Sequence, residues 1–169
     1  MKSGIKIFFP DFRFEDVTKI DVNLFNGSDL LIFDVDNTLV FPETSQTKKE
    51  IIDWFSKIKN NYQCICLSNS STIKRRKDDI EKILNCKVFL SKYKKPSKKL
   101  FLEIKKEFPL AKNIIAIGDR IIPDILFGNL NGMTTILVDI LSPKEKLYIR
   151  SLRILENILK YVQKKRFRK

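Results

Sequence analysis

The chain has 169 residues, 43% of them apolar, enough to bury one core and too few for several domains, so a single domain spanning 1–169 is expected. Its 33 Lys and Arg against 20 Asp and Glu give a net charge of +13, and the absence of histidine excludes imidazole acid–base or metal chemistry. No apolar run reaches the ~18 residues of a membrane-spanning helix, and Cys64, Cys66 and Cys86 have no metal-like spacing, which suits core packing in a reducing compartment.

In chain order, Met1 to Pro10 is too short and too broken to read as a secretory signal, which makes the cytoplasm the expected location. Leu30 to Phe33 is a short β-rich apolar run, as in a strand covered on both faces, and it leads directly into Asp34 and Asp36. Ser45 to Asn60 reads as a helix with Ile51, Ile52, Trp54, Phe55 and Ile58 on its apolar face. Tyr62 to Leu67 reads as a strand ending in Ser68-Asn69-Ser70, Thr72 to Leu84 as a helix, and Lys87 to Leu90 as a short strand. Lys95-Pro96 precedes a helix from Ser97 to Phe108, and Asn113 to Ile117 is a further buried strand ending in Gly118-Asp119. Ile121 to Leu130 reads as a short helix carrying Asp124, stopped near Asn131-Gly132, and Thr134 to Val138 as a strand. Ser142-Pro143-Lys144-Glu145 is a capping box with proline at the first helical position, opening a helix to about Val162. Five strands with crossovers predict an α/β fold: a doubly wound, Rossmann-like parallel sheet with no cap domain.

Carboxylates at the end of a buried strand must be solvated, paired or bound to a cation, and α/β sheets bind ligands at that edge. A carboxylate pair, a hydroxyl, a lysine and a second carboxylate pair occur in this order, each at or near a strand end. These motifs resemble the haloacid-dehalogenase superfamily of aspartate-nucleophile phosphatases, whose signatures are D-x-D-x-T, a Ser or Thr, a Lys, and G-D with a further Asp. Phe9-Pro10, Val17 to Ile20, Trp54, Ser68-Asn69-Ser70, Lys95-Pro96, Gly118-Asp119-Arg120, Gly128-Asn129, Gly132, and Arg153 with Glu156 are similar to the bacterial and mitochondrial phosphatidylglycerophosphate phosphatase branch. Two positions depart from that branch: Pro123 stands where it usually has Thr, and Tyr93 where it usually has Ala. Proline suits the first turn of a helix, so the loop-to-helix transition before Asp124 can accept it.

The residue types allow the chemistry to be written out. Asp34 is the nucleophile candidate, forming an aspartyl-phosphate, and Asp36 the acid and base. Mg²⁺ and Lys95 would offset the repulsion between a carboxylate and an anionic phosphate. Asp34, the backbone carbonyl of Asp36, and Asp119 are the expected ligands, with Asp124 direct or through water. Ser68, Asn69 and nearby backbone N–H groups would hold the phosphoryl oxygens. Bland alternatives stand beside these roles: Ser68 as a helix cap, Lys95 as a solvated charge in a lysine-rich run, Asp124 at a helix N-terminus, and Asn37 and Thr38 shaping the turn or contacting substrate.

No insertion between Leu39 and Glu50 or between Asn85 and Lys95 is long enough for a lid, so an open site and a bulky substrate are expected. Lys74-Arg75-Arg76-Lys77, Lys92 through Lys99, Arg150, Arg153, Lys160 and the basic tail 164–169 predict attraction to anionic lipid, or else reflect compositional bias. The leading expectation is hydrolysis of phosphatidylglycerophosphate at the inner face of a membrane by a peripheral enzyme. The alternatives are a phosphatase of soluble or polymeric phosphate esters, and a non-catalytic basic module for RNA or lipid. Interleaved aromatics for stacking nucleic-acid bases are absent, which counts against nucleic acid as partner.

Overall fold

The structure is a computed structural model that describes residue 2 and residues 4–141. The helix expected from Ser142 to Val162 and the basic tail lie outside the described residues. Strands β1 (Phe12–Phe14), β2 (Leu30–Asp34), β3 (Cys64–Leu67), β4 (Ile114–Gly118) and β5 (Thr134–Val138) form one parallel sheet in the order β1-β5-β4-β2-β3. Helices α1 (Lys49–Asn61), α2 (Ile73–Leu84), α3 (Lys98–Glu107) and α4 (Phe127–Leu130) complete an α/β, Rossmann-like architecture.

Strands β2 and β4 are buried at every position, because helices cover both sheet faces. Side chains alternate between two cores. Leu31, Phe33, Ile115, Ile117 and Ile136 face Ile51, Phe55 and Ile58 of α1 and Ile80 and Leu84 of α2. Leu30, Ile32, Ile65, Leu67 and Ala116 face Leu100 and Ile104 of α3 and Phe127. Ile51, Phe55 and Ile58 recur at helical spacing, and the Phe55 ring meets Phe33 edge-on at 5.1 Å between centroids. Helix α3 is capped by Ser97, whose side chain accepts from the Lys99 N–H. The three cysteines are free; burial pushes the Cys64 thiol up to about 12, and the Cys66 thiol is raised by its hydrogen bond with Cys86 and by burial.

Two strand assignments differ from expectation. Lys87 to Leu90 is not a strand: it meets the edge strand β3 through one bridge, Cys66 with Val88, and then turns away. The fifth strand is instead β1, three residues long and mostly exposed, paired with β5 through Phe12–Ile136, Arg13–Leu137 and Phe14–Val138. The first helix begins at Lys49 rather than Ser45, because residues 41–48 fold back: Phe41 N–H donates to the Gln46 carbonyl, and the Thr47 hydroxyl to that of Leu39. The single helix expected over Ile121 to Leu130 is divided into a π-helical turn, Ile121–Leu126, and α4.

The chain leaves β2 toward β3 and leaves β4 toward β5, in opposite directions across the sheet. A crevice therefore opens beyond the C-terminal ends of β2 and β4. Replacing Phe55 by alanine should cost about 3–5 kcal/mol by leaving a cavity between α1 and the sheet. In urea denaturation this is expected as a lower midpoint at unchanged slope.

Candidate active site

Asp34 is the last residue of β2, and its carboxylate is held at the floor of the crevice. The next residues turn sharply: Asn37 has φ of 66°, its N–H donates to the Val40 carbonyl, and its carbonyl accepts from Leu141. That backbone accounts for the Asx residue there, since asparagine tolerates the left-handed region better than most side chains. Asn37 also lines the crevice, whereas Thr38 is buried with its hydroxyl 3.5 Å from Asp34 Oδ2.

Lys95 is brought in by the segment before α3, where the Lys95–Pro96 peptide is cis. Asn69 anchors it at the end of β3: the Asn69 Nδ2 donates to the Lys95 carbonyl and its Oδ1 accepts from the Lys95 N–H, both at 2.8 Å. The side-chain amide expected to contact substrate therefore has both ends engaged in positioning Lys95. Lys95 Nζ donates to Asp34 Oδ1 and Asp124 Oδ1 at 2.5 Å each, and to the Leu67 carbonyl at 3.1 Å. With 6% of its surface exposed, Lys95 is no solvated surface charge. Burial works against its ammonium, but Asp124 and Asp34 outweigh it, and its pKa is raised above the ordinary 10.5.

Asp119 follows Gly118 at the end of β4, and Asp124 sits in the π-helical turn. Asp124 Oδ2 accepts from the Arg120 N–H, so it caps this turn while its other oxygen holds Lys95. Gly118 is required by close approach: a Cβ there would lie 2.3 Å from the Asp124 carboxyl carbon. Pro123 stands in the first turn, where its missing N–H has no intrahelical acceptor to lose.

One carboxylate oxygen from each of Asp34, Asp119 and Asp124 lies within 4.8 Å of the others, all three residues buried. Burial, the largest influence, raises the Asp34 carboxyl well above 3.8; Lys95 opposes this, while Asp124 and Asp119 add to it. Three buried carboxylates, two of them bonded to one ammonium, form a donor set suited to a hard dication, which accepts oxygen ligands at short range. The side chain of Asp36 is not part of that group. Its Oδ2 accepts from Ser68 Oγ at 2.9 Å and Arg76 Nη2 at 3.0 Å, and its Oδ1 accepts from the Glu43 N–H at 2.8 Å. Of the expected metal ligands, Asp36 thus has its carboxylate committed elsewhere and its backbone carbonyl alone to offer. Ser68 serves Asp36 and also accepts from the Ser70 N–H, combining a turn-capping role with a place on the crevice wall.

Arg76 is the functional candidate that sequence reasoning passed over as one charge in a basic run. It is buried, with Nη1 donating to the Thr44 carbonyl at 2.6 Å and Nε to Thr72 Oγ1 at 3.1 Å, which aims Nη2 at Asp36. The signal was available: Ile73, Arg76, Ile80 and Leu84 share one face of α2, so Arg76 occupies a core-facing position among apolar residues. An arginine there needs a carboxylate partner.

No described helix is long and apolar enough to cross a membrane. The chain is 30% identical over 141 residues to the probable phosphatase YqeG of Bacillus subtilis (strain 168), covering 79% of this chain and 78% of that protein. No solved structure gives a significant match. The family model described as mitochondrial PGP phosphatase matches residues 3–141, a span that contains β2 with Asp34, the Lys95 segment and the Gly118-Asp119 turn. By that match and by this relative, the chain belongs to the mitochondrial PGP phosphatase family, a family of haloacid-dehalogenase-like hydrolases.

Proposed function

We propose that this phosphatase removes the terminal phosphate of phosphatidylglycerophosphate with the help of Mg²⁺, through an aspartyl-phosphate on Asp34, as a peripheral enzyme at an anionic membrane surface on the cytoplasmic side. The observation that carries the proposal is the Asp34 carboxylate at the crevice floor, hydrogen-bonded to buried Lys95 and grouped with Asp119 and Asp124. The family description and the net charge of +13 support the lipid substrate and the surface.

In this mechanism an oxygen of Asp34 attacks phosphorus as the bond to the leaving oxygen breaks, and Asp36 gives its proton to that oxygen. Asp36 then takes a proton from water, which attacks the phosphoryl group and releases Asp34 and inorganic phosphate. Asp34, Asp119, Asp124 and the Asp36 carbonyl would hold Mg²⁺, which when bound neutralises phosphoryl charge and offsets the repulsion between nucleophile and substrate. Lys95 keeps Asp34 oriented and adds positive charge beneath the phosphoryl oxygens. Ser68 and Arg76 fix the Asp36 carboxylate so that it reaches the leaving oxygen from one direction.

Phosphate release from phosphatidylglycerophosphate in mixed micelles is expected to need Mg²⁺ and to fall to background in Asp34→Asn. Release from soluble esters alone would move the substrate to that class, and silence on all of them would refute the enzyme. Arg76→Ala should lower kcat about 10²-fold on an alkyl phosphate, whose leaving oxygen needs a proton. On p-nitrophenyl phosphate, whose leaving group departs without one, the loss should be far smaller, and Arg76→Lys should recover part of the alkyl activity. Between pH 3.8 and the raised value of Asp34, the folded metal-free chain keeps a proton that the unfolded chain has released. Its stability therefore falls as pH rises through that window. Mg²⁺ competes with the proton, so its stabilisation should grow with pH, read as the gap in Tm with and without Mg²⁺ at pH 5 and pH 8.

A further inference from the structure

A groove of about 310 Å³ adjoins the catalytic crevice and shares with it the wall formed by Ser68 to Ser71 and by Lys94. Its far side is the segment from Phe89 to Lys94, and Ile73 and Lys74 close it at the start of α2. The two cavities differ in charge. The crevice mixes Asp34, Asp36, Glu43 and Asp119 with Arg120 and the shared Lys94, whereas no acidic residue lines the groove, where Lys74 and Lys92 are exposed beside Lys94.

In the proposed mechanism Lys95 lies beneath the scissile phosphate and Lys94 and Arg120 line its crevice, so Lys74 and Lys92, which line the groove alone, exceed what that group needs. Lys74 is held on the first turn of α2, and Lys92 on a fixed segment. Ser91 Oγ donates to Glu103 Oε2 at 2.5 Å and accepts from the Tyr93 N–H, and Asn69 clamps Lys95 just beyond. The Tyr93 ring has the Lys92 ammonium 5.2 Å and the Lys99 ammonium 5.6 Å from its centre, which restrains Lys92 beside the groove. Apolar surface adjoins the lysines: Phe89 and Ile73 are buried at the groove, and Leu90 is 40% exposed. A ligand suited to this place is anionic where it leaves the crevice and becomes hydrocarbon a few atoms further on.

We propose that the groove binds the phosphodiester of the lipid headgroup, with Lys74 and Lys92 contacting its oxygens and Tyr93 holding Lys92 in place. The inference rests on the phosphatase reading of the crevice and makes these residues determinants of specificity. Substrates that have a phosphomonoester alone would leave the groove empty.

The test compares deacylated glycerophosphoglycerol phosphate, which carries both groups, with glycerol phosphate, which carries the monoester alone. In Lys74→Glu and Lys92→Glu the ratio of kcat/KM between the two should fall about tenfold, mostly through KM. Tyr93→Ala, which keeps both lysines, should reduce the ratio less. An unchanged ratio, or an equal loss on both substrates, would overturn the inference. Glycerophosphoglycerol, a diester with no monoester, should bind the native chain in a calorimetric titration, more weakly at higher salt and more weakly still to Lys92→Glu. This binding is independent of turnover, so a chain inert toward every phosphate ester but binding the diester would refute the enzyme and keep the groove. No binding to the native chain would refute the groove alone.

Discussion

The fold at this site depends on one ammonium group placed between two buried carboxylates. Lys95 touches Asp34 at the end of β2 and Asp124 in the turn after β4, so one side chain ties two strand ends and the segment before α3 together. Removing a single partner from such a group leaves a buried charge uncompensated, which is far more costly than losing an exposed ion pair. The surrounding polar contacts serve this point. Asn69 fixes the Lys95 backbone, Gly118 clears space for Asp124, and the Leu67 carbonyl accepts a further hydrogen bond from Lys95.

A second charged assembly lies beside the first and is distinct from it. Arg76 draws Asp36 toward α2 and away from the Asp34, Asp119 and Asp124 group. Two aspartates separated by one residue thus meet different partners, an ammonium for Asp34 and a guanidinium for Asp36. Different surroundings suit different tasks for two carboxylates of the same intrinsic chemistry.

Much of this was legible in the sequence because the strongest signals were local. The apolar runs of β2 and β4 announce buried parallel strands, and the polar residues at their ends announce the crevice. Lys95 and Asp124 were legible through their order in the chain, although their contact joins residues far apart in sequence. The three-residue strand β1 had no pattern to read, being defined by pairing with β5 rather than by its own apolar face. Lys87 to Leu90 has the composition of a strand but lies at the sheet edge, where one bridge suffices before the chain turns toward Lys95. Asn69 illustrates a further limit: an amide at a strand end looks alike whether it faces a ligand or clamps a backbone, and only the fold decides.

The short strand β1 has a consequence beyond completing the sheet. Without it, β5 would present Thr134-Thr135-Ile136-Leu137-Val138 as an open edge, a β-branched and uncharged segment of the kind that recruits another chain. In its place the outermost strand is only three residues long and carries Arg13, paired with Asp139 at 2.7 Å. Brevity and an exposed charge make a poor template for pairing. The segment that carries β1 thus does more than add a strand: it covers an apolar edge with one that offers few open backbone groups and a charge.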